Sequence, residues 1–164
     1  MAQQDRARHG LVARLRDLGD DVRHLTAGFD DETLRRQTVA GKWSLIELAC
    51  HLWVVQQLFE TRVDAMLERD APAFEPYAPE NDAAFAALIA SGPGQEHVQR
   101  FLADRDRFAV RLDNLAPAEW LRRGQHPTFG TFDIAFLVEY MAHHEAHHVY
   151  QMFTRRVPLL RKNP

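Results

Sequence analysis

Apolar residues recur three and four positions apart along four long stretches of this chain, and that period constrains the fold more than any other feature. Between about Asp5 and Thr26, Leu11, Leu15, Leu18, Val22 and Leu25 share one stripe, which Gly28 ends. Asp30 to Gln37 reads as a short extra turn. A second helix opens at "KWSLIEL", where Ser44 and Glu47 have the spacing of a capping box and Trp43 and Leu48 that of a hydrophobic staple; it continues to about Glu68. The third runs from about Gln95 to Leu115, with Val98, Phe101, Phe108, Leu112 and Leu115 on one face. Arg105 shares that face, either as a paired or snorkelling arginine or as a cation turned to a ligand. The fourth runs from Phe132 to about Arg156, with Thr131 as its N-cap.

The segments between these stretches are of different kinds. "DAPAFEPYAPEND", with Pro72, Pro76 and Pro79, is too rich in proline to be helical, and "RRGQHPTFGT" reads as a loop. A short apolar stretch from Ala83 to Ala90 ends at "SGPG". No period-two pattern competes with the helices. The expected fold is therefore all-α: one domain over residues 1–164, a four-helix bundle whose long connection between the second and third main helices crosses the bundle.

Composition narrows the function. A net charge of −3 and scattered arginine pairs, Arg35–Arg36, Arg122–Arg123 and Arg155–Arg156, provide no basic stripe for nucleic acid, and the pairs read as solvated helix faces. No apolar run approaches the roughly 18 residues of a membrane span, and the N-terminus lacks the apolar core of a signal peptide. The single cysteine, Cys50, excludes an intrachain disulfide and reads as a small buried hydrophobe. A soluble, cytoplasmic protein that binds neither nucleic acid nor membrane is the expectation.

Four of the nine histidines fall within "HHEAHH", residues 143–148. At about 100° per residue, Met141 lies about 40° and His148 about 20° to one side of Leu137, and His144 about 20° to the other. His147 and His143 lie about 80° and 120° round on the His144 side, so only His144 and His148 continue the apolar stripe. His51 shares its face of the second helix with Leu48, Val55 and Leu58 and also points inward. Three inward imidazoles on two helices suit a divalent ion with coordination positions left for water or substrate. The alternative is a set of core histidines with internal partners. Gln151, about 40° off the stripe, and His147, on its shoulder, are candidates to support the ligands. Glu145, about 80° off, is either a flanking acid or a solvated surface carboxylate. Tyr140 has the position to turn its hydroxyl to a cavity, and His126 reads as a loop-fixing hydrogen-bonder.

"KWSLIELACHLW", "HPTFGTF" and "HHEAHHVYQM", in that order, resemble the DinB-like family of metalloenzymes over about Gly10 to Arg156. Trp43, Ser44, Glu47 and His51 match the family's second-helix pattern, and His144, His148 and Gln151 its late-helix pattern. The resemblance implies a four-helix bundle of unusual connectivity, a homodimer, and zinc, nickel or iron on His51, His144 and His148. It also implies a small-molecule substrate and, in some relatives, a low-molecular-weight thiol such as bacillithiol or mycothiol. Gln56, five residues after His51, departs from relatives that carry an acid there. Two functions remain open: a metal-dependent thiol S-transferase, and a non-catalytic metal- or ligand-binding protein linked to stress.

Overall fold

A computed structural model describes residues 2–77 and 83–161, so Pro79 of the proline-rich connection lies outside the described residues. Its helices are α1 (Ala2–Thr26), α2 (Asp31–Arg35), α3 (Leu45–Glu68), α4 (Ala83–Ala90), α5 (Gly94–Asp113) and α6 (Ile134–Leu160). A 3-10 turn at Glu119–Leu121 and two strands, β1 (Arg123–His126) and β2 (Gly130–Asp133), lie between α5 and α6.

The helix starts follow from local chemistry. Asp30 caps α2 by accepting from the Thr33 amide. The Ser44–Glu47 capping box is present in both directions, with the Ser44 amide donating to Glu47 Oε2 at 2.8 Å. At α6 the N-cap is Asp133, which accepts from the Phe136 amide at 2.8 Å, and not Thr131. Thr131 and Phe132 instead belong to β2.

The antiparallel pair β1–β2 departs from the loop expected there. Its connection, Pro127–Phe129, has three residues, and Gly130 beyond it takes φ +66, the left-handed conformation such hairpins place at a glycine. Four-residue strands with sparse apolar content give no period-two signal. Backbone bonds also join β1 to the proline-rich connection, Phe74 N to Gln125 O and Gln125 N to Pro72 O, both 2.9 Å. Gly124 is required at this contact, since a Cβ there would lie 2.5 Å from the Phe74 ring.

Each long helix packs on two others: α1 on α5 and α6, and α3 on the same two. Consecutive pairs, α1 with α3 and α5 with α6, are therefore diagonal. Two apolar clusters fix the helix directions. One gathers Val12, Val63, Leu112 and Ile134 at one end of the bundle. The other gathers Leu25, Ile46, Val98 and Met152 at the opposite end. Helices α1 and α6 run from the first cluster to the second, and α3 and α5 run back. The α3–α5 connection must therefore travel the length of the bundle, as expected from its length.

Between the clusters lies a buried polar layer. Arg105, 1% exposed, donates to both oxygens of Glu145 (3.0 and 2.6 Å), to Gln56 Oε1 (2.7 Å) and to the Leu15 carbonyl (2.7 Å). This resolves Arg105 as a paired arginine. The arginine pairs are also more than solvated faces. Arg122 donates to the Met66 and Arg69 carbonyls at the end of α3, and Arg156 to His24 and Leu25 at the end of α1, where orphan carbonyls need donors. Cys50 is buried as expected, and its burial pushes the thiol pKa up to about 12. No helix among the described residues is long and apolar enough to cross a membrane.

Candidate metal centre

Helices α3 and α6 are antiparallel neighbours, so His51, two turns into α3, meets His144 and His148 on α6. His144 Nε2 stands 3.3 Å from His51 Nε2 and 3.2 Å from His148 Nε2. One ligand nitrogen from each ring lies within 4.8 Å of the others. Two ligands at tetrahedral angles on one zinc ion, each about 2.05 Å away, would be about 3.3 Å apart.

Hydrogen bonding alone does not satisfy this cluster. A ring nitrogen has one in-plane direction, holding either a proton or a lone pair, so His144 Nε2 cannot serve both neighbours. His51 Nδ1 is in addition buried with no partner. A cation accepting all three lone pairs removes the conflict at the Nε2 atoms, and the donor set fits a divalent ion. The protonation state fits too. Burial, reinforced by the neighbouring imidazoles, lowers the pKa of His51 to about 3 and of His144 to about 4. For His148 burial also lowers it, against the raising effect of Gln151. All three rings are therefore neutral near pH 7, the form that binds metal.

Gln151 fixes the tautomer of His148. Its Oε1 can only accept, so His148 Nδ1–H donates to it at 3.0 Å and Nε2 keeps its lone pair. The Gln151 amide nitrogen donates in turn to His147 Nε2 at 2.9 Å. Gln151 therefore links the rings of His148 and His147. Glu145 is 2% exposed and turned into the Arg105 layer, neither a solvated carboxylate nor placed against the histidines. Glu47 is held by its capping box.

Trp43, positioned by the turn before α3, covers the centre, with ring centroids 4.9 Å from His51 and 6.2 Å from His148. Gln56, the position five residues after His51, is fully buried between Arg105 and Glu60, donating to Glu60 Oε1 at 3.1 Å. Glu145 already neutralises Arg105, so an amide suffices there.

The centre opens into a cavity of about 330 Å³ between α3 and α6, roofed by Pro76 and Tyr77 of the connection and by the hairpin turn. His51 and His144 form one end; Val55, Leu58, Phe59, Arg62 and Tyr140 line its walls, with His126 and Phe129 at the turn. Tyr140 thus faces a cavity as expected. His126 is the loop-fixing residue expected, its Nδ1 accepting from the Thr128 amide at 3.2 Å. Arg62 was overlooked, although the signal was present: eleven residues beyond His51, it falls about 20° from it on α3.

A four-helix bundle with diagonal consecutive helices and three neutral imidazoles meeting across an antiparallel pair defines a class of bundle protein built around a histidine centre. The chain belongs to the DinB superfamily, whose profile matches residues 6–152. Its fold is similar to that of YfiT from Bacillus subtilis, described as a probable metal-dependent hydrolase with an unusual four-helix bundle topology. The two share 17% identity and a TM-score of 0.70 over 90% of this chain and 86% of the other. A search of curated proteins finds no match.

Proposed function

We propose that this chain is a metal-dependent enzyme in which His51, His144 and His148 hold one divalent ion, and that it transfers a low-molecular-weight thiol to a small electrophile. The observation that carries this reading is the convergence of three neutral Nε2 donors beside a cavity of about 330 Å³. A divalent ion bound there supplies Lewis acidity, lowering the pKa of a coordinated thiol or water. Three imidazoles suit zinc, nickel or iron alike.

The remaining work falls to the chain. Gln151 holds the His148 ring in the ligating tautomer, and Trp43 shields the imidazoles from bulk water. Val55, Leu58 and Phe59 supply an apolar wall for the electrophile. No carboxylate lines the cavity among the described residues, and Glu145 is engaged by Arg105. That favours a thiol nucleophile, which a bound ion would ionise without a side-chain base. Water in its place would make a hydrolase, the activity named for YfiT.

The test is conjugation of small thiols to 1-chloro-2,4-dinitrobenzene by zinc-, nickel- or iron-loaded protein, beside p-nitrophenyl acetate hydrolysis without thiol. The reading expects thiol-dependent turnover that chelation and His144→Ala abolish. Hydrolysis alone would replace transferase with hydrolase. Loaded protein with neither activity would refute the enzyme reading in favour of a binding protein.

A further inference from the structure

The two buried arginines among the described residues are treated differently. Arg105 has a bidentate carboxylate, an amide oxygen and a carbonyl. Arg62, 7% exposed, donates from Nη2 to the Glu75 carbonyl at 2.7 Å and lies over the Phe74 ring at 5.4 Å. No carboxylate pairs with it among the described residues. Burial lowers its pKa, and the charge effect opposing this comes from the Tyr140 phenol. A guanidinium withdrawn from water with no counter-charge among the described residues is costly, and this one lines the same cavity as His51 and His144.

Two further donors stand beside it. The His126 Nδ1 lone pair is occupied by the Thr128 amide, so the ring proton is on Nε2. Burial and the Arg62 charge hold the His126 pKa below its ordinary value, against the opposing effect of exposed Glu75. The ring is therefore neutral near pH 7. Tyr140 lines the same wall.

We infer that Arg62, His126 and Tyr140 form an oxyanion subsite, and that the substrate is a small, largely apolar molecule whose single carboxylate rests on Arg62. Its reacting end then points toward His51 and His144. That orientation rests on the proposed chemistry at the histidines; the subsite itself does not. The planar guanidinium fork matches a carboxylate, and one cation among the described lining residues balances one negative charge. A cavity of about 330 Å³ is at the small end of ligand sites.

Benzoate and benzamide, nearly identical in shape and different in charge, are the probes. Their binding to the full chain is followed by calorimetry on protein of measured metal content, before and after chelation. The expected result is benzoate binding about tenfold tighter than benzamide, the scale of one charged hydrogen-bonding contact, and a loss of that difference in Arg62→Gln. Because Arg62 also anchors the connection through Glu75, Tyr140→Phe is a second variant. It should weaken benzoate by about threefold and leave benzamide unchanged. Equal binding of the two probes, no benzoate binding at millimolar concentration, or a preference that survives Arg62→Gln overturns the inference. Should Arg62→Gln not fold, unchanged benzoate binding in Tyr140→Phe overturns it. A preference that disappears on chelation means that the ion holds the carboxylate, and overturns it too. A preference that survives chelation is the expected result, whereas protein that holds no ion as purified, takes up none when offered, and still prefers benzoate would refute the metal reading and leave the subsite standing.

Discussion

Replacing Glu145 by glutamine separates stability from the metal site. The substitution keeps one oxygen for Arg105 and replaces the other with an amide that faces the guanidinium donors. Both side chains are almost fully buried, so the Arg105 charge loses its counter-charge with no water to replace it. Removing one partner of a buried pair costs about 3–5 kcal/mol. Gln56 and the Leu15 carbonyl still accept from Arg105, which places the expected loss near the lower figure, about 3 kcal/mol. For a chain of this length that is a fall in Tm of about 6–12 °C. Urea unfolding followed by circular dichroism measures it, with metal content determined on the same samples. Arg105→Met combined with Glu145→Leu should be less destabilising than Glu145→Gln, because no lone charge is left buried. A loss below about 1 kcal/mol for Glu145→Gln, or a double variant whose costs simply add, would refute the reasoning. So would loss of metal from folded Glu145→Gln, since this carboxylate is turned away from the histidines.

Metal-free protein should be acid-labile in a defined window. With folded-state pKa values lowered to about 3 for His51 and about 4 for His144, the histidine contribution is complete above the unfolded value of about 6.5 and falls as pH drops below it. At pH 5 the loss is about 2 kcal/mol for His51 and less for the more open His144; stability that stays flat between pH 7 and 5 would contradict this. Gln151→Leu removes the acceptor for His148 Nδ1 and should weaken metal binding by about 10- to 100-fold in competition with a chelating dye, whereas unchanged affinity would count against its orienting role. We propose a second copy of the chain as the partner for the outer face of α6, where Phe136, Tyr150 and Phe153 are 41%, 67% and 54% exposed. Light scattering should give twice the chain mass, and Tyr150→Glu should reduce it; a monomeric wild type refutes the dimer.

Helical phase made much of this molecule readable. The stripe spacing gave the long helices, the Ser44–Glu47 pair gave the start of α3, and the prolines marked the crossover. Residues four apart on α6 and a histidine on the apolar face of α3 indicated the three imidazoles that meet. Glu145 was misread because the inward direction of α6 was set from Leu137. Its buried positions, from Ile134 through Val138, Glu145 and Met152, centre about 60° away, since α6 packs on both α1 and α3. Glu145 therefore sits mid-face, and His144 sits at the shoulder that opens to the cavity. The partner that makes a buried carboxylate tolerable, Arg105, is forty positions away, and no local pattern links them. The hairpin was missed for a related reason. Its strands are stabilised by the connection at Phe74 and by Gly124, contacts between distant segments with no periodicity to reveal them.

The most direct measurement is metal content by elemental mass spectrometry, on protein purified without a histidine tag, for the wild type and His144→Ala. His144 Nε2 is the atom that both other ring nitrogens approach, so its loss should empty the centre. About one ion per chain in the wild type and little in the folded variant is the predicted result. A wild type that holds no ion and takes up none from added zinc, nickel or iron would contradict the metal centre.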